Sequence, residues 1–210
     1  MKKLLFMVVA ALVAVTPLYA QSNKELRQIS KDAKVAAKEA EKEGYKMLEP
    51  GNLESEIAKH LTKTEISGAE AFGIVGTANG KKSVNMAKSQ ARNNVLNEHA
   101  ESARSLVQGR VTSDMQDISG EQAENFVAAY ERLVCAELSG EVRVSYTLVR
   151  HNKKENTYDV KLVCYVDYEA AHKAHLNALN RAAEQQQLAQ KYGSNISNWI
   201  QEGFVNRIVE

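Results

Sequence analysis

The sequence predicts an α+β domain: a small antiparallel sheet in the chain order strand, helix, helix, strand, strand, with helices packed on it and helical extensions at both ends. Two observations carry this. Residues 141 to 167 alternate apolar and polar side chains on either side of a short polar loop, the pattern of an antiparallel hairpin, and a third alternating segment near residue 72 is separated from that hairpin by two helical stretches. Helices segregated from an antiparallel sheet define the α+β class, and a two-helix crossover can return the chain so that its first strand pairs with the hairpin.

The elements follow in order. Residues 23 to 46 hold charges and alanines with a thin stripe of Leu26, Ile29, Ala33, Ala37 and Ala40, a helical period with little apolar bulk. Gly44 and Pro50-Gly51 interrupt it, and a second short helical pattern passes through Ile57, Ala58 and Leu61. Residues 21–66 thus read as a helical arm that packs on the domain or on a partner. Phe72, Ile74, Gly76 and Ala78 then alternate with Ala71, Gly73, Val75 and Thr77 up to the Asn79-Gly80 turn, giving a strand whose glycines permit close approach of another element.

A long helix is expected from about Lys82 to Val111, with the small-residue stripe Ala87, Ala91, Val95, Ala103 and Leu106 or Val107. Ser119-Gly120-Glu121-Gln122 opens a second helix through Phe126, Val127, Tyr130, Leu133 and Val134, which Gly140 ends. In the hairpin, Val142, Val144, Tyr146 and Leu148 share one face, as do Tyr158, Val160, Leu162, Cys164 and Val166. Tyr168 to Lys191 is an alanine-rich helix stopped by Gly193. Ser194 or Asn195 then caps a last helix bearing Ile196, Trp199, Ile200, Phe204 and Ile208. That apolar stripe requires a cover.

The first twenty residues have a different logic. Lys2 and Lys3 precede an apolar run from Leu4 to Val15, then Pro17 and Leu18-Tyr19-Ala20 before polar Gln21: a positive region, an apolar region and a small residue at the cut. The run is shorter than the roughly 20 residues of a spanning helix. Residues 1–20 are therefore expected to be a cleavable signal peptide, with export to the periplasm, in association with the outer membrane or into the medium. Gln21 and not Cys stands directly after Ala20, so the expected new N-terminus has no thiol to accept a lipid anchor, and no membrane span is expected after cleavage. Without Lys2 and Lys3, 25 basic and 26 acidic residues leave a formal charge of −1, which offers no field to attract nucleic acid.

Few residues point to chemistry. The tract from Gly73 to Ser83 lies between a strand and a helix, as phosphate loops do, but a Walker loop needs Gly where Val75 stands and Ser or Thr where Lys82 stands. A plain strand-to-helix turn is expected. Glu169, His172 and His175 follow one another at i, i+3 steps and are the candidate metal ligands. The di-iron signature to which Glu-x-x-His belongs needs a second such motif, and a solvated polar face is the expected state, with no cofactor or resident metal. His99 lies on the small-residue stripe of the long helix, with no nucleophile or carboxylate at recognisable spacing. Cys135 and Cys164 are a candidate disulfide in an oxidising compartment, against the alternative of two separately buried thiols.

The strand Ala71-Phe72-Gly73-Ile74-Val75-Gly76-Thr77-Ala78, the helix around Ala87, Ala91 and Arg92, and the later strand pair resemble the LPP-twenty lipoprotein family of Gram-negative envelopes over about residues 66 to 170. Lys38 to Tyr45 and Pro50-Gly51 are similar to exported Bacteroidetes proteins that carry such a domain. The resemblance implies an LPP-twenty-like domain over residues 67–170, followed by C-terminal helices over 171–210. It implies an envelope-associated accessory or assembly protein, and it attaches no catalytic residues to the pattern. The combined expectation is a non-enzymatic exported protein that binds an envelope partner or itself, with peripheral outer-membrane contact; the alternative is a small-ligand or metal-binding carrier.

Overall fold

The computed structural model describes residues 23–202. Six helices and a four-stranded antiparallel sheet form the α+β arrangement that the alternation predicts. The elements are α1 (residues 23–42), β1 (Lys46–Met47), α2 (Leu53–Thr64), β2 (Ala71–Lys81), α3 (Val84–Asp114), α4 (Gly120–Leu138), β3 (Arg143–Asn152), β4 (Thr157–Asp167), α5 (Tyr168–Gln185) and α6 (Ala189–Gln201). The sheet order is β1-β3-β4-β2, so the α3–α4 crossover carries β2 past the hairpin to pair antiparallel with β4.

The sheet is covered on both faces. Val160, Leu162, Cys164 and Val166 of β4 point into a large core built with α3, α4, α5 and α6. Val163 points the other way, into a smaller core with Tyr146, Leu148, Tyr45, Ile57 and the α1 alanines Ala33, Ala37 and Ala40. The arm therefore packs on its own sheet, and β1 adds a short strand to it by pairing Lys46 with Val149 and Met47 with Leu148. A salt bridge from Lys161 to Glu43 (2.7 Å) and the Tyr45 ring lying under Lys161 and Arg150 fix the arm's end. Leu26, at the start of the stripe, stays exposed.

Three sequence expectations are corrected. First, β3 does not keep one apolar face: a bulge at Ser145 sets Val144 opposite Cys164 and Tyr146 opposite Val163, so Tyr146 and Leu148 face the arm while Val144 is exposed. A bulge inserts one residue and flips every side chain after it, which strict alternation cannot show. Second, the helix after the hairpin ends at Gln185, not at Lys191. Gln187 takes a left-handed φ of 57°, and the Leu188 N–H donates to Ala183 O (2.8 Å), a helix-ending turn that buries Leu188. Third, Gly193 lies inside α6, and Asn195 caps nothing; its side-chain amide donates to Asp114 O (2.7 Å).

The long helix resolves its own ambiguity: Val107 is buried and Leu106 exposed. The cover for α6 is intramolecular. Ile196 and Trp199 are buried in the large core, and Trp199 Nε1–H donates to Asp114 Oδ2 (2.6 Å) at the end of α3. Phe204 and Ile208 lie outside the described residues. None of the described helices is long and apolar enough to cross a membrane.

Candidate functional site

Among the described residues, two histidines and a tyrosine converge inside the fold where α3, α4, α5 and β2 meet. Small residues along α3 let the helix lie close to the sheet; at Gly76 a side chain would stand 2.1 Å from Ala91 O, so only glycine fits. The close approach carries His99, two turns beyond Ala91, under the sheet's end, where its ring stacks on Phe72 at 5.5 Å between centroids. From α5, His175 enters the same space with no solvent exposure. Its Nε2 lies 3.0 Å from His99 Nε2, and its Nδ1 lies 2.7 Å from the hydroxyl of Tyr130 on α4.

Proton positions follow from satisfaction. The buried Tyr130 hydroxyl has this one partner among the described residues, and a buried O–H left without an acceptor is costly. It therefore donates to His175 Nδ1. The His175 proton then sits on Nε2 and is donated to His99 Nε2, leaving the His99 proton on Nδ1. Both rings are neutral. Burial, reinforced by His99 and His172 nearby, lowers the His175 pKa to about 3; burial also holds His99 below the ordinary histidine value and pushes the Tyr130 phenol up. A neutral His175 with both nitrogens engaged has no lone pair left for a substrate proton.

The sequence-predicted metal candidates are dispersed. His175 turns inward, His172 is half-buried beside it, and Glu169 lines an open groove of about 520 Å³ with Glu137, Glu141, Asp167, Lys173 and Asn177. The helical turn that spaces them by three residues also rotates Glu169 away from the core. No group of three or more His, Cys, Asp or Glu side chains that could hold a metal ion occurs among the described residues.

Cys135 and Cys164 are both free thiols. Cys164 is in the sheet's core face, and its pKa is pushed up to about 11 by burial; Cys135 on α4 turns its Sγ to Leu96 O of α3 at 3.6 Å. The candidate disulfide is not formed, because α4 packs on α3 and α5 rather than directly on β4. In the glycine tract Gly76 admits α3 and Gly73 lies against the His60 ring, while Gly80 takes a left-handed φ of 67° in open space; β2 runs through the expected Asn79-Gly80 turn to Lys81, with an irregular register after Ala78, and Ser83 caps α3 by accepting from the Met86 N–H (3.2 Å).

Two features were not visible in the sequence. Tyr130 falls on the apolar stripe of α4, where its ring reads as core and its hydroxyl gives no signal. The second is a contact between His60 Nδ1 on α2 and Ser145 Oγ at 2.8 Å, which needs both the arm's docking and the β3 bulge. Burial lowers the His60 pKa. Among the described residues His60 has no carboxylate partner, so the pair has the distance of a serine–histidine dyad without the group that orients the base.

Comparison with family models, with curated proteins and with solved structures gives no match.

Proposed function

We propose that this is a non-enzymatic, exported protein of a bacterial envelope that works by protein–protein contact, as a structural or assembly component. The observation that carries the reading is the Tyr130–His175–His99 chain: His175, the most buried of the histidines, uses both ring nitrogens on protein partners inside the core. Such a chain locks α3, α4 and α5 together and orients a rigid body rather than a reaction. The leader-like residues 1 to 20 support export, and the likeness to the LPP-twenty family supports an envelope role.

Among the described residues, the apolar stripes of the arm and of α6 pack on the protein's own sheet and core, so under this reading the contact is made by other surfaces. The test is fractionation of cells producing the full chain, followed by chemical crosslinking of the intact envelope. Mature protein in the periplasmic or outer-membrane fraction, crosslinked into a discrete larger species, is the expected result. Retention of the leader in the cytoplasm, or an exported protein that stays monomeric under crosslinking, overturns the reading.

A further inference from the structure

We propose that the outer edge of β2 is a self-association surface, on which a second copy of this chain adds its own β2 antiparallel to form one sheet continuous through both molecules. The proposal rests on the contact reading above and names its partner.

β2 is an edge strand eleven residues long, whereas the other edge of the sheet is the two-residue β1. Exposed edges of soluble proteins are ordinarily blunted by charges or proline. Here Ala71 to Gly80 contains neither, in a chain that is 25% charged. The outward row of backbone groups is identified by Asn94: its side-chain amide donates to Thr77 O at 2.7 Å, so the Thr77 carbonyl points away from β4. Direction alternates along a strand, and the N–H and C=O groups of Ala71, Gly73, Val75 and Thr77 therefore face outward. Thr77 O keeps a second lone pair, and the others form the ladder a new strand needs.

The flank of this edge is suited to contact. Val75 is 48% exposed on the arm side of the sheet, and on the other side the α3 residues Met86, Gln90 and Asn94 stand one turn apart along the edge, with Met86 56% exposed. None of these carries a charge. The charged residues of that part of α3 point elsewhere, Lys88 to Glu49 (3.7 Å) and Arg92 to Ser139 O (2.9 Å). Depletion of charge with retained amides and apolar side chains is the composition of an interface centre.

Why a second copy is the partner follows from the strand's ends. Glu70 precedes β2, and Lys81 and Lys82 stand at its other end. Antiparallel pairing about a two-fold axis at Gly76 keeps outward-facing groups opposite one another, Val75 of each copy against Thr77 of the other, and brings Glu70 of each copy opposite Lys82 of the other, two opposite-charge contacts from one symmetric operation. The same axis sets the Gln90 and Asn94 amides, donors and acceptors both, against their counterparts. The surface is complementary to itself.

Analytical ultracentrifugation of residues 21–210 over a concentration series tests this. Wild type is expected to form a reversible dimer. Val75→Lys and Met86→Lys, at exposed side chains, are expected to weaken it about tenfold or more while circular dichroism and melting stay as in wild type. Glu70→Lys or Lys82→Glu alone weakens the dimer, and the two together in one chain restore it. A wild-type protein monomeric at all concentrations overturns the inference, as does a dimer indifferent to folded Val75→Lys and Met86→Lys variants. A dimer weakened by either single charge reversal but not rescued by the pair overturns the antiparallel register. Envelope crosslinks to another protein, with monomeric purified chain, would leave the contact reading standing and this inference refuted.

Discussion

His175 and His99 meet Nε2 to Nε2 at 3.0 Å across the α3–α5 interface, with the Tyr130 hydroxyl closing the far side of His175. A single proton lies between the two facing nitrogens. Protonating either ring puts a charge into a space walled by Phe72 and the core and takes from the Tyr130 hydroxyl the lone pair it donates to, so burial favours the neutral pair.

Stability should consequently fall with acid in a window the histidines define. His175, His99 and His60 are all held below the ordinary 6.5, so the unfolded chain binds more protons than the native one and stability rises with pH. Their contribution is complete above about pH 7 and is lost as pH drops through 6.5 towards the lowered native values. The carboxylates held below their usual range, Glu49, Asp114 and Asp159, begin to act only at lower pH. Thermal melting at pH 7.5 and 5.0 should show a clear drop in wild type and a shallower one in His175→Leu; equal midpoints in wild type would count against the neutral pair.

Tyr130→Phe removes the donor to His175 Nδ1 and leaves a buried nitrogen without its partner. The expected cost is about 1–3 kcal/mol, read by urea denaturation at pH 7.5. A smaller loss would mean that His175 finds another donor and that the hydroxyl does not set its tautomer.

Two glycines should respond in opposite directions. At Gly76 a Cβ would meet Ala91 O and the Val95 side chain at 2.1 and 2.4 Å, and backbone cannot step aside cheaply, so Gly76→Ala should destabilise by roughly 3 kcal/mol. At Gly109, inside α3 with nothing within 4 Å, Gly109→Ala should stabilise by about 0.5–1 kcal/mol. Denaturant midpoints of the pair decide it.

Both thiols should be free in protein isolated under oxidising conditions. Alkylation in denaturant without reductant is expected to label Cys135 and Cys164 both; in native protein half-buried Cys135 should react and buried Cys164 should not. An unreactive pair that reduction releases would contradict the separation of α4 from β4.

The fold was largely legible because alternation in β4 and small-residue spacing in α3 both report burial on one face of a regular element, and Val160 to Val166 and Ala87 to Val107 are buried as read. What escaped was set by contacts distant in sequence. The bulge at Ser145 leaves Val144, Tyr146 and Leu148 in apparent alternation, and only the arm's docking shows that the last two face it. Gln187 ends α5 through a backbone angle that its residue type does not announce. Of the polar site, His99 and His175 were singled out separately, seventy-six residues apart, and nothing local could place their rings in contact. Glu169 shares a helix with His175 but not its face.

The claim that this protein pairs with a second copy of itself through the β2 edge is tested most directly by a photo-crosslinking amino acid placed at Val75, on that strand, and in parallel at Val35, exposed on α1, in living cells. The account predicts a discrete adduct from position 75, at twice the mature mass, and none from position 35. No adduct from position 75 in cells that export the folded protein would contradict it.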